Sequence, residues 1–262
     1  MSSAFRTRPP EPLPRLYRWR SNLLHAPLFF TFTALCGTLS LLVSGFDRKG
    51  RLQHRIARFW ARGCLAISAS PLTVHGAEIL RRHPIAVYAA NHTSYMDTPV
   101  IFAALPFQFR ILAKTELWTL PFIGWHLNRS GQIAINTDNP RATLSSLGRA
   151  AKALRDGMPL FVFPEGGRTP DGSLQPFLSG AAYLAIRAQV PLVPIALCGV
   201  YDLLPIHTKH FYPGPVALIV GEPIPTTGMT IRQTDELTQR LRAAIQELHA
   251  TDSAASYAVT RP

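Results

Sequence analysis

Charged residues are scarce in this chain of 262 residues. Asp, Glu, Lys and Arg together make up 16% of it, whereas hydrophobic residues make up 47%. Soluble domains usually contain about 25% charged residues. The low charge content is typical of a protein that associates with a membrane.

Acidic residues are especially few, because 15 Asp and Glu stand against 27 Lys and Arg, giving a net charge of +12. Such an excess predicts an anionic partner: lipid headgroups, phosphorylated substrates or nucleic acid. A nucleic-acid binder would be expected to carry a basic patch interleaved with aromatic residues, or a known module. The sequence has neither, so membrane lipids are the predicted partner and nucleic acid is not.

Cysteine is also rare. The three cysteines are odd in number, widely spaced and surrounded by apolar residues. This pattern contains no disulfide framework and no zinc-ligand spacing. We expect all three to be small buried hydrophobic residues; they are Cys36, Cys64 and Cys198.

A long uncharged stretch lies near the N-terminus. Residues 21–46 contain no Asp, Glu, Lys or Arg, and about 20 apolar residues suffice to cross a bilayer. A cleaved signal peptide is the alternative, although its apolar region should be only about 7–15 residues long. We predict a retained membrane helix, with His25 and Pro27 as the features that fit this assignment least.

The flanks of this stretch are basic on both sides. Residues 1–20 are rich in proline and arginine, and several more basic residues follow residue 46. Positive charge normally marks the cytoplasmic side only. Two arrangements remain open: a single span, or a pair of helices that enters one leaflet and returns. In the second, "LQHRIARFWARGCLAISASPL" would be a basic amphipathic helix at the interface, so residues 21–75 form the predicted anchoring segment.

The remainder of the chain alternates strand-like and helix-like segments. Short apolar runs typical of covered strands are separated by helical stretches, one of which begins at Pro140 and stops at Gly157. This alternation predicts an α/β fold with a mostly parallel central sheet flanked by helices, over residues 76–250, followed by a flexible tail at 251–262. The predicted strands are "PIAVYAA", "FRILAK", "GQIAIN", "MPLFVFP", "PLVPIALCG" and "PVALIVGEPI".

The stretch "AANHTSYMDTP" places a histidine and an aspartate five positions apart. Residues five apart on a regular helix point about 140° away from each other. A contact between His92 and Asp97 therefore needs the histidine in a turn and the aspartate in the first turn of a following helix. The aspartate could then orient one ring nitrogen and leave the other free as a base. Alone, the pattern is explained better by a histidine satisfied in a turn.

A second stretch, "FVFPEGGRTPDG", follows another predicted strand. Gly166 and Gly167 allow the backbone to approach a ligand closely, and Arg168 offers a planar group suited to phosphate. A tight turn with a surface salt bridge is the alternative interpretation of this segment.

Together these blocks resemble the glycerolipid acyltransferase family over residues 80–225. The family motifs appear in order as Asn91-His92 with Asp97, "AKTEL" with "GQIAIN", "FPEGGRT", and "VPIA" at residues 193–196. The resemblance implies transfer of an acyl group from coenzyme A or acyl carrier protein to the sn-2 hydroxyl of lysophosphatidate, giving phosphatidic acid. It implies no cofactor and no metal, and a membrane-associated enzyme with its site facing the cytoplasm.

The resemblance also implies roles for individual residues. His92 is the expected general base and Asp97 the residue that orients it. Glu165, Gly166, Gly167 and Arg168, with Lys114, are expected to bind the acceptor, with Glu165 orienting Arg168 or a glycerol hydroxyl. Asn91, Pro164 and Pro194 complete the motifs as supporting residues.

Two departures from the family pattern concern the acceptor. Thr137 stands where the family often has arginine, for which Arg141 could substitute, and Gly167 stands where threonine is usual. Another lysolipid acceptor is therefore the first alternative function, and a non-catalytic membrane lipid-binding protein is the second. A membrane-tethered nucleic-acid binder would differ from both by strongly salt-dependent affinity.

Overall fold

The computed structural model describes residues 15–47, 49–136, 139–204, 206, 208 and 210–259. The basic segment before residue 15 and Thr137 lie outside these ranges. In the described residues a seven-stranded sheet has the order β1-β7-β6-β2-β5-β3-β4. Its strands are β1 Leu72–His75, β2 Val87–Ala90, β3 Arg110–Lys114, β4 Ile133–Ile135, β5 Leu160–Val162, β6 Leu192–Cys198 and β7 Val216–Val220.

The sheet is mostly parallel, as the sequence predicted. Five of its six neighbouring strand pairs are parallel, and only β6 and β7 run antiparallel. The predicted strands correspond to β2 through β7. The remaining strand, β1, falls inside the predicted anchoring segment of residues 21–75, and it pairs with β7 at the sheet edge.

Helices cover both faces of the sheet. They are α1 Arg15–Arg20, α2 Ala26–Ser44, α3 Arg51–Ile67, α4 Ala77–Arg82, α5 Asp97–Ala104, α6 Ile123–Arg129, α7 Pro140–Arg155, α8 Gly180–Ala188, α9 Val200–Leu203 and α10 Thr234–Val259. A π-helical turn at Ser21–His25 joins α1 to α2. Helix α10 takes in most of the segment predicted as a flexible tail.

Alternation along β2 divides the core into two layers. Tyr88 and Ala90 face a layer built with α3, α4 and α5. Val87 and Ala89 face the opposite layer, built with α7, α8 and α10. Because both faces are covered, the strand is apolar throughout and fully buried, which is the usual character of a parallel strand.

Helices α2 and α3 form an antiparallel helical hairpin. The Gln53 amide bonds the Ser40 carbonyl oxygen at 3.4 Å near the turn, and the Trp60 indole bonds the Thr33 hydroxyl at 3.0 Å further along. Asp47 starts α3 by accepting hydrogen bonds from the backbone of Arg51 and Gln53. By length and composition Arg18–Ser44 is the one helix in the described residues apolar enough to cross a membrane.

The amphipathic helix α3 packs much of its apolar surface within the protein. Its apolar face is buried against α2 and α5, whereas Arg51, Arg55 and Arg62 are exposed. Helix α2 instead leaves a row of large apolar side chains exposed: Leu28, Phe30, Leu35, Leu39 and Leu42, with Phe46 beyond its end.

Candidate active site

Two neighbouring parallel strands deliver the predicted site residues to one edge of the sheet. Strand β2 leads directly into Asn91 and His92, and β5 leads into Pro164 and Glu165. Ligand sites in such sheets lie beyond the carboxyl ends of the strands. Asn91 is buried and fixes this edge, because its side chain exchanges two hydrogen bonds with the backbone of Leu197, at 3.0 and 2.8 Å.

His92 and Asp97 are in direct contact, in the arrangement that the sequence predicted. His92 lies in the turn after β2, Asp97 is the first residue of α5, and His92 Nδ1 lies 2.7 Å from Asp97 Oδ2. The same oxygen accepts from the backbone N–H of Thr93 at 2.7 Å and of Ser94 at 2.8 Å. A carboxylate accepts only, so Nδ1 carries the proton, and Nε2 has no hydrogen-bond partner among the described residues.

The two members of this pair differ in how far they are buried. The Asp97 side chain is 0% exposed, whereas that of His92 is 12% exposed. The imidazole also stacks on the Phe163 ring, with centroids 3.9 Å apart and planes 15° apart. Asp97 and Phe163 thus restrict the ring from two directions. The sequence predicts Phe163 only as part of a strand, because ring stacking requires no particular spacing along the chain.

Glu165 has partners different from those expected. Its Oε1 accepts from the backbone N–H of His92 at 2.6 Å, and its Oε2 accepts from the backbone N–H of Gln175 at 2.8 Å. No hydrogen bond to Arg168 occurs among the described residues, so Glu165 organises backbone instead. Burial raises the pKa of Glu165 to about 7, although these two hydrogen bonds act in the opposite direction.

Arg168 lies on an aromatic ring. Its guanidinium carbon is 4.1 Å from the centroid of Tyr95, a cation–π contact that the sequence did not reveal. Burial lowers the pKa of Arg168, and the proximity of Tyr95 and Asp97 partly offsets this. Arg168 makes no hydrogen bond with another described residue, which leaves its donors available for an anion.

The glycines before Arg168 form the turn of this loop. Gly166 has φ +70°, and a Cβ there would lie 2.7 Å from Leu178 Cδ1. At Gly167 a Cβ would meet no atom within 4 Å, so the space that a threonine would fill is open. The loop is tied to the first block through Thr169, whose backbone N–H donates to the His92 carbonyl oxygen at 3.0 Å.

The remaining predicted residues lie around this centre. Lys114 is exposed at the carboxyl end of β3, on the same edge of the sheet. Arg141 is exposed in the first turn of α7. The Pro164 carbonyl oxygen accepts from Leu178 at 2.7 Å, and Pro194 is buried within β6, where its carbonyl oxygen accepts from Gly221 at 2.9 Å. Both prolines therefore shape the scaffold.

Metal ligands do not cluster in the described residues: no group of three or more His, Cys, Asp and Glu side chains could hold an ion there. The three cysteines are free and buried, as predicted.

The fold and site define an α/β protein with a histidine–aspartate pair and an arginine loop at one edge of a parallel sheet. The acyltransferase family model matches residues 71–198, which contain this whole site. A 1-acyl-sn-glycerol-3-phosphate acyltransferase of Chlamydomonas reinhardtii is 33% identical over 236 residues, covering 87% of this chain and 67% of that protein. The chain therefore belongs to the acyltransferase family, and it is an acyltransferase.

Two further relatives extend the comparison. The chloroplastic 1-acyl-sn-glycerol-3-phosphate acyltransferase BAT2 of Brassica napus is 32% identical over 185 residues, which cover 68% of this chain but only 52% of that protein. The crystal structure of the lysophosphatidate acyltransferase PlsC from Thermotoga maritima superposes with a TM-score of 0.76 at 24% identity. The superposition covers 94% of this chain and 100% of PlsC, and it confirms the fold.

Proposed function

We propose that the chain transfers an acyl group from a thioester, carried by coenzyme A or acyl carrier protein, to the sn-2 hydroxyl of 1-acylglycerol 3-phosphate. The product is phosphatidic acid. The observation that carries the proposal is the hydrogen bond from His92 Nδ1 to the buried Asp97, which leaves His92 Nε2 as a base at the sheet edge. The names of the relatives, 1-acyl-sn-glycerol-3-phosphate acyltransferases, support the same acceptor.

The proposed chemistry uses His92 first as a base and then as an acid. Nε2 takes the proton of the acceptor hydroxyl while that oxygen attacks the thioester carbonyl carbon. The tetrahedral intermediate collapses with cleavage of the C–S bond, and the departing thiolate receives the proton from His92. Asp97 stabilises the imidazolium between these steps, and the sequence of steps consumes no cofactor.

Recognition of the acceptor phosphate is assigned to the loop after β5. Arg168 has free donors beside the histidine–aspartate pair, and its planar guanidinium matches phosphate geometry. Lys114 supplies a second positive charge on the same edge. At Gly167 no described atom occupies the space that the threonine usual in the family would fill, so other lysolipids belong in the test.

The helical hairpin is assigned to the membrane. Large apolar side chains are exposed along α2, and α2 packs against its hairpin partner α3 and against α6 of the catalytic domain. A helix held against the domain along its length suits insertion into one leaflet better than an isolated span. The lipid acceptor would then reach the site from the membrane and the thioester from the cytoplasm.

The test is release of thiol from acyl-coenzyme A on addition of lysophosphatidate to detergent-solubilised protein. The expected result is acceptor-dependent release that falls by about 10²–10⁴-fold in His92→Ala. His75→Ala is the matched control, because His75 is exposed at the end of β1 and should leave the rate unchanged.

Two results would contradict this assignment. Release that survives in His92→Ala would remove His92 as the base. A folded wild-type protein that releases thiol only with another lysolipid would keep the chemistry and replace the acceptor, whereas turnover only with acyl carrier protein would fix the donor within the proposal.

A further inference from the structure

A chain of contacts links the final helix to the backbone of His92. Arg242 on α10 donates from Nη2 to the Leu174 carbonyl oxygen at 3.3 Å. The next residue, Gln175, donates its backbone N–H to Glu165 Oε2, and Glu165 Oε1 accepts from His92. The turn at His92 and the loop at Gln175 therefore meet at one partly buried carboxyl group, and α10 contacts that loop through Leu174.

We propose that Glu165 and Arg242 are positioning residues: Glu165 holds the His92 backbone against the loop at Gln175, and Arg242 holds that loop in place. The inference rests on the proposed function, since His92 is its target. Arg242 lies outside the matched family segment, which ends at residue 198, and no motif marks it.

The surroundings of Glu165 favour this role over contact with the acceptor. Both carboxyl oxygens already accept backbone N–H groups, and the negative charge of Asp97 is close enough to affect its ionisation. A second negative charge beside a phosphate would repel it. Without Glu165, the His92 backbone would be held only through its carbonyl oxygen, by the Thr169 N–H. A misplacement of about 1 Å can cost about 10²-fold in rate.

The ionisation state of Glu165 decides whether it accepts hydrogen bonds from both His92 and Gln175. The carboxylate accepts from two N–H donors, whereas the protonated acid turns an O–H toward one of them. The charged groups that act on Glu165 are Asp97 and Arg242: burial raises its pKa to about 7, Asp97 adds to this, and Arg242 opposes it. Arg242 thus keeps more of the two-bond form present near neutral pH.

The kinetic test compares Glu165→Gln with wild type, using whichever acceptor gives turnover. An amide accepts only through its oxygen, so one backbone bond is lost. The expected result is a kcat lower by about 10–100-fold, with the acceptor KM within about twofold. The ratio of wild-type to variant kcat should rise as pH increases through about 7, because only wild type has the ionising carboxyl. A raised acceptor KM with unchanged kcat would place Glu165 on the acceptor and overturn the proposal.

Arg242→Met tests the contact between Arg242 and the loop at Leu174. Arg240→Met is the control, at an exposed position of the same helix. Removing the charge raises the pKa of Glu165, so the pH at which kcat rises should move to higher values in Arg242→Met and stay in place in Arg240→Met. A midpoint that does not move in Arg242→Met would remove Arg242 from the proposal.

Hydrogen exchange gives a readout that needs no turnover. In the full chain in detergent, mass spectrometry should find faster exchange over residues 90–97 in Glu165→Gln than in wild type, because the His92 N–H loses its acceptor. Unchanged exchange would overturn the proposal even where activity with lysophosphatidate is present. Absence of that activity with faster exchange would instead contradict only the proposed acceptor.

Discussion

The Asp97 carboxylate is used asymmetrically. Its Oδ2 accepts three hydrogen bonds, from His92 Nδ1 and the backbone of Thr93 and Ser94, whereas its buried Oδ1 has no partner within the described part of the chain. An asparagine could place its oxygen at the Oδ2 position and its NH₂ group at the Oδ1 position. Such a substitution preserves the three hydrogen bonds, removes the negative charge, and replaces an unpartnered oxygen by an amide NH₂ group at the same position.

Asp97→Asn therefore separates orientation from charge. We expect a kcat about 10²–10⁴-fold below wild type, because the imidazolium loses its counter-charge, with little change in thermal stability. Thiol-release kinetics and a thermal melt measure the two effects. A variant that retains more than about a third of wild-type kcat would mean that Asp97 only orients the ring.

The sequence predicts the His92–Asp97 pair but not the residues that hold it in place. His92 and Asp97 were predictable because a turn and a helix start impose a definite spacing. Phe163, Tyr95 and Gln175 were not, because a stacked ring, a cation–π contact and a backbone N–H bond place no requirement on spacing along the chain. Glu165 was identified as a site residue, yet its partners depend on a loop that only the folded chain brings near.

At the scale of elements, the missed strand and the amphipathic helix have physical explanations. Strand β1 has four residues, lies at the sheet edge and alternates partly buried with exposed positions, so its apolar signal is short and weak. Helix α3 was predicted at a membrane interface because its arginines recur at helical spacing. The same spacing also arises when a helix covers a protein core, and α3 does so against α5.

Two histidines join the helical hairpin to the catalytic domain. His54 of α3 donates through Nε2 to the Phe107 carbonyl oxygen at 3.0 Å, and His126 of α6 contacts the Ser40 hydroxyl at 2.7 Å. Burial is the main reason that the pKa of each is lowered to about 4, and the positive charge of Arg110 adds to this. Both are neutral in the folded protein at neutral pH.

The lowered pKa values of His54 and His126 predict that the protein loses stability in mild acid. The unfolded chain binds these protons at about pH 6.5 and the folded chain only near pH 4. The contribution of each histidine is thus complete above pH 6.5 and is lost as pH falls toward 4, on the order of a few kcal/mol each. Thermal melts in detergent from pH 7.5 to 4 should show a falling Tm.

The matched variants are His126→Gln and His75→Gln. Removing one titrating group should flatten the fall in Tm for His126→Gln, whereas His75→Gln, at an exposed position, should follow wild type. A wild-type Tm that is independent of pH over this range would contradict the assignment of neutral buried imidazoles.

At the scale of the whole molecule, two surface properties act on a membrane together. The net charge of +12 attracts anionic lipid, at about 1 kcal/mol for each basic residue near the surface. If the hairpin is inserted as proposed, the apolar side chains along α2 would bury in the acyl region of any bilayer. A higher salt concentration weakens the charge attraction and leaves the apolar contribution, because the Debye length falls from about 10 Å at 0.1 M to about 3 Å at 1 M.

Vesicle binding should accordingly have a salt-sensitive and a salt-resistant part. We expect stronger sedimentation with anionic than with zwitterionic vesicles at 0.1 M salt, and equal, still substantial binding to both at 1 M.

In α2, Leu35 and Leu39 are one turn apart and 64% and 47% exposed, so a Leu35→Lys/Leu39→Lys variant should bind zwitterionic vesicles on the order of 100-fold more weakly. Leu144→Lys, at an equally exposed leucine of α7 on the opposite side of the sheet, should bind as wild type does. Complete release of wild type at 1 M salt, or equal losses in both variants, would show that charge and not the hairpin holds the enzyme on its substrate membrane.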